Sequence, residues 1–75
     1  MTLDEAVLDV LGANPDWWLS REVLKEVIRR ELYFQRSGNL PTQAQVVHRL
    51  VKQENKGTVE IDRSDGNQHL YRLRG

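Results

Sequence analysis

Apolar residues recur at helical spacing from the start of the chain. Leu3, Ala6, Val7, Val10 and Leu11 fall three or four positions apart and share one helix face. The preceding "TLDE" is a capping box, in which Thr2 accepts from the Glu5 amide and the Glu5 side chain reaches back. The pattern predicts a first helix over about 3–11, ended by Gly12. Asn14 and Pro15 then break the chain. A second stripe, Val23, Leu24, Val27, Ile28 and Leu32, predicts a helix over about 21–33 with Ser20 as N-cap. Arg21, Lys25, Glu26 and Arg29 fall on its polar side.

"FQRSGNLP" reads as a loop turning at Ser37, Gly38 and Asn39. Thr42 and Gln45 form a second capping box, and a third helix is expected over about 43–56, ended by Gly57. Its buried stripe reads as Ala44, Val47, Leu50 and Val51, with Val46 at the edge. After Gly57 the period changes to two. Val59 and Ile61 alternate with Glu60 and Asp62, and Tyr71 and Leu73 alternate with polar neighbours, which is a hairpin with strands near 58–63 and 68–73. Asp65-Gly66 alone suits a two-residue turn. A three-residue turn, Asp65-Gly66-Asn67, instead pairs Ser64 with Gln68, Ile61 with Tyr71 and Val59 with Leu73, and is preferred because it stacks apolar on apolar. A two-stranded hairpin cannot stand alone, so its apolar face must close over the helices.

Seventy-five residues predict a single domain, with 39% hydrophobic residues enough for a small core. The absence of cysteine rules out disulfides and thiolate metal sites. Two histidines, His48 and His69, are too few for a zinc site without carboxylate help, so no metal and no cofactor are expected. The short apolar runs exclude a membrane span, and no secretion leader is apparent, so a cytoplasmic, nucleoid or nuclear location is expected. Eleven basic and eleven acidic residues give zero net charge, which argues against indiscriminate nucleic-acid binding. The charges are unevenly placed. Residues 1–31 carry a net −3 and residues 32–75 a net +3, which leaves room for one basic face.

The order helix, helix, helix, hairpin resembles a winged helix-turn-helix domain, an α+β fold of three helices followed by a two-stranded antiparallel wing. "LPTQAQVVHRL" resembles the start of the recognition helix, and "VEIDRSDGNQHLYRL" a wing with its return strand. A looser resemblance to HARE-type helix-turn-helix domains rests on Gly38, Pro41, Thr42 and Leu50. The paired Trp17-Trp18 and a wing tip that is not clearly basic depart from that pattern.

The resemblance implies double-stranded DNA as partner, with the third helix in the major groove. Gln45, Arg49, Lys52, Gln53 and Lys56 are read as sharing an exposed face, with Thr42, Gln43 and His48 nearby. Glutamine pairs with adenine and arginine or lysine with guanine, while lysines also hold phosphates. Arg63, Asn67, Arg72 and Arg74 on the wing and its return strand complete the candidate DNA-binding set, although Asp62 and Asp65 flank the tip. The bland alternative is an ordinary solvated helix face. Trp17 and Trp18 allow two readings. One is core while the other anchors a protein partner or homodimer mate, or both lie in a groove between the first helix and the hairpin. The rival function is accordingly a winged helix that binds protein or oligomerises without DNA. No nucleophile motif, phosphate loop or metal spacing is present, so neither an enzyme nor a small-molecule site is expected.

Overall fold

A computed structural model describes residues 2–31 and 40–74. The element order is α1 (Leu3–Ala13), β1 (Trp18–Leu19), α2 (Ser20–Arg29), α3 (Gln43–Asn55), β2 (Val59–Asp62) and β3 (Leu70–Leu73). The far end of the expected second helix, Leu32 and Tyr33, and the turn at Ser37–Asn39 lie outside the described residues.

Both expected capping boxes form. Thr2 Oγ1 accepts from the Glu5 N–H at 3.2 Å while Glu5 Oε1 accepts from the Thr2 N–H at 3.1 Å. Thr42 and Gln45 make the same exchange at the start of α3, at 3.2 and 2.9 Å. Each box satisfies two amides that the helix itself leaves without acceptors. Other helix ends depart from expectation. Gly12 continues α1, and Asn14 caps it in extended conformation. Leu19, not Ser20, is the N-cap of α2, and its N–H donates to Glu22 Oε1 at 2.9 Å. The helix stops at Arg29, because Glu31 takes a left-handed φ of 53°, off the helical path.

The three helices enclose the core with the sheet packed across them. Val7, Val10, Val23, Val27, Val46, Leu50 and Val59 are fully buried. In α3 the buried stripe is Val46, Leu50 and Gln53; Ala44, expected inside, is exposed, and Val47 and Val51 are only half-buried. The helix is thus turned by about one residue, roughly 100°, from the expected phase. Gln53 explains the shift. It is 5% exposed, and its Oε1 accepts from Thr58 Oγ1 at 2.7 Å. The Gln53 carbonyl accepts the Thr58 N–H at 3.0 Å as well, so a polar residue ties the end of α3 to the chain entering β2. A satisfied amide occupies a core position that a hydrophobic pattern cannot flag.

The sheet has three strands in the order β1-β3-β2, all antiparallel, so the hairpin is extended by a strand that the sequence pattern did not reveal. The preferred hairpin register is the one observed, with Val59 opposite Leu73 and Ile61 opposite Tyr71. Pairing ends at Asp62 and Leu70, so residues 63–69 form a loop and Ser64–Gln68 is not a ladder pair. Aspartate side chains account for the early end. Asp62 accepts the Ser64 N–H and Asp65 the Asn67 N–H, each at 2.9 Å, which turns the backbone away from the ladder.

β1 places the tryptophans. Trp18 faces the core opposite Tyr71, and its indole N–H donates to the Asn14 carbonyl at 3.0 Å. Trp17 lies on the outer sheet face, half-buried, with the Arg72 guanidinium 4.3 Å from its ring centroid. The two indoles thus lie on opposite faces of the sheet, Trp18 against the core and Trp17 half-buried under Arg72, rather than together in a groove beside α1.

Candidate nucleic-acid interface

Rotation of α3 changes which residues it presents outward. Ala44, His48, Lys52 and Asn55, spaced four, four and three apart, are all exposed and form one ridge. Gln45 and Lys56 are exposed beside it, and Arg49 is half-buried on the flank toward α1. Gln53, assigned to the exposed face from sequence, instead belongs to the core. Gln43 and Gln45 are exposed but engaged. Gln43 Nε2 donates to Ser20 Oγ at 3.0 Å, and Gln45 Oε1 completes the cap of Thr42. Thr42 itself is the N-cap.

Four of the candidate cations, Arg49, Lys52, Arg63 and Arg72, lie against acids. Arg49 Nη1 and Lys52 Nζ lie 3.8 and 3.5 Å from Asp4 Oδ2 in α1. Arg63 grips Glu54 with both terminal nitrogens, at 2.6 and 2.7 Å, and so pins the start of the loop 63–69 to the last turn of α3. Arg72 pairs with Glu60 across the β2–β3 ladder at 3.0 Å while covering Trp17. Lys56 and Arg74 have no ion pair within 4 Å among the described residues, and Asn67 is held in the loop through its backbone.

The Arg63 hydrogen bonds hold the Glu54 carboxyl below its ordinary value of 4.5. A lowered carboxylate contributes stability above the ordinary range and loses it as pH falls through the folded value. The pair is largely solvated, so the stability effect is small and the local titration is the better readout. In a carbon-detected NMR titration the Glu54 carboxyl should reach its midpoint below 4.5 and return to the ordinary value in Arg63→Gln. An unchanged midpoint in that variant would show that the pair does not form in solution.

A cleft of about 380 Å³ opens where the starts of α2 and α3 meet the loop 63–69. Ser20, Arg21, Gln43 and Val47 form one wall, and Asn67, Gln68 and His69 the other. Arg21 is exposed and has no ion pair among the described residues. Hydrophobic periodicity alone places Arg21 on the polar side of α2. A signal was nevertheless present: a cation in the first turn opposes the helix dipole, so its position is locally unfavourable. Both helix N-termini here are capped by side chains, that of α2 by the Glu22 carboxylate, so the unpaired Arg21 guanidinium is what makes this cleft attractive to anions. Among the described residues no group of three or more histidines, cysteines or carboxylates can hold a metal ion. No described helix is long and apolar enough to cross a membrane.

No protein-family model matches the chain, and no curated protein resembles it in sequence. A solved structure reported for the DNA recognition and protein interaction domains of HOP2, and for that protein's homologous DNA pairing, superposes with a TM-score of 0.74. The superposition covers 97% of this chain and 100% of that one, at 15% identity. Such a likeness concerns the fold: three helices and a small antiparallel sheet, the winged-helix arrangement, with β2, β3 and their loop in the place of the wing.

Proposed function

We propose that this domain binds double-stranded DNA, with the outward ridge of α3 in the major groove and the wing loop along the adjacent backbone. The observation that carries the reading is the junction of that ridge with a concave cleft whose lining includes Arg21 and no acid, with Glu22 and Asp65 just outside it. Thirteen residues of α3 span about 20 Å. That length crosses a major groove about 12 Å wide. His48 and Asn55 supply hydrogen-bonding groups for base edges, and exposed Ala44 suits a thymine methyl. Lys52, Lys56 and Arg21 sit where phosphates would pass on either side. Arg49, on the flank, is better placed for a phosphate than for a base. The domain works by binding and carries out no chemistry.

The HOP2 structure has the same fold and is described for DNA recognition, which agrees with this reading. A second reading has its own support. Asp4, Glu54 and Glu60 offset Arg49, Lys52, Arg63 and Arg72, which leaves a mixed surface suited to protein contact. Arg21 separates the two. Arg21→Ala should weaken duplex binding about tenfold near 50 mM salt, the contribution of roughly one neutralised phosphate. It should leave the melting temperature unchanged or slightly raised, since the arginine opposes the α2 dipole. Duplex affinity equal to that of the unaltered protein would remove the cleft from the interface.

A further inference from the structure

Among the described residues, Asp4 is the one acid inserted among the cations of α3 from another helix. Its place in the first turn of α1 suits the helix dipole, but Glu5 already serves that end through the capping box. What the dipole does not explain is the condition of the carboxylate. Its side chain is 23% exposed, and Oδ1 is buried with no hydrogen-bond partner among the described residues. Oδ2 is shared by Arg49 and Lys52 at 3.8 and 3.5 Å, distances beyond a charge-assisted hydrogen bond. The acid therefore draws two like charges together without committing either. A phosphate oxygen, able to approach each cation at about 2.7–2.9 Å, would displace it.

We infer that Asp4 is a built-in counter-charge that holds Arg49 and Lys52 together and restrains the general attraction of α3 for the nucleic-acid backbone. The inference rests on the duplex-binding reading and adds a positioning residue outside the helix that enters the groove. Without DNA, Asp4 keeps the two cations converged and cancels part of their field. With DNA, they exchange its carboxylate for phosphate, and the remaining negative charge opposes binding. Sequence-independent affinity is then lower than the cations alone would give.

The test compares the whole domain with Asp4→Asn, Asp4→Glu and Arg49→Gln/Lys52→Gln, the last alone and combined with Asp4→Asn. Binding to a mixed-sequence duplex is followed by fluorescence anisotropy from 50 to 200 mM salt, with thermal melts on every variant. Asp4→Asn should bind about 3–10-fold tighter at 50 mM, with a salt slope steeper by about one phosphate's worth. Asp4→Glu should behave as the unaltered protein, and the Asn gain should vanish once Arg49 and Lys52 are neutral. A gain that persists without those cations, or no gain at all, overturns the inference. Binding lost in Arg49→Gln/Lys52→Gln but unaffected by Asp4→Asn would sink the counter-charge while leaving the DNA reading intact. No duplex binding by any folded variant would overturn both.

Discussion

Replacing Arg49, Lys52 and Lys56 together by glutamine should reduce affinity for a DNA duplex by about a hundredfold or more at 50 mM salt. Each phosphate neutralised by a cation contributes a slope of about 0.9 in log K against log salt, so contacts compound at low ionic strength. The three residues lie along one side of the α3 ridge, and glutamine keeps their length and helix propensity. The loss should shrink toward physiological salt, where the released counterions enter a more concentrated solution and gain less entropy. Asp4 loses its counter-charges in this variant, so a thermal melt must accompany the titration. Affinity within threefold of the unaltered protein would mean that α3 does not face the backbone.

A second large effect concerns the core. Leu50→Ala should destabilise the domain by about 2–5 kcal/mol, because Leu50 is fully buried where α3 meets α1 and α2. A domain of this size has about 4–11 kcal/mol of stability in total. The melting temperature should therefore fall by at least about 10 °C. Ala44→Ser, at a position the sequence pattern placed inside, should cost less than about 1 kcal/mol. The pair of variants checks the rotation of α3 directly. Comparable losses at both sites would restore the phase read from hydrophobicity and turn Ala44 inward.

That rotation shows what a sequence of this kind can and cannot convey. Val46, Val47, Leu50 and Val51 spread apolar character over a wide arc of α3, so several phases satisfy the pattern almost equally. The true phase is decided by Gln53, whose burial depends on a tertiary hydrogen bond to Thr58. The caps at Thr2 and Thr42 were legible because a capping box is local, involving residues three apart. The β2–β3 register was legible because only one pairing sets Ile61 against Tyr71 and Val59 against Leu73. The strand at Trp18–Leu19 was not. Two residues carry no alternation, and their pairing with Tyr71 and Leu70 spans the whole domain.

The candidate interface was legible in part for the same reason. His48, Lys52 and Lys56 were recognisable from residue type and position and do lie exposed on α3. Arg63 and Arg72 were chosen for their charge, but their partners Glu54 and Glu60 approach only through the fold. Arg21 required the opposite step. Its role depends on α2 meeting the wing loop, a contact between segments about 45 residues apart.

Chemical-shift mapping of the labelled domain with an unlabelled mixed-sequence duplex tests the central claim most directly. The account predicts amide shifts at Ala44, His48, Lys52 and Asn55, at the start of α2, and in the loop 63–69, with the outer sheet face around Trp17 and Glu60 undisturbed. Shifts confined to that sheet face, or none at protein concentrations where the domain is folded, would contradict it.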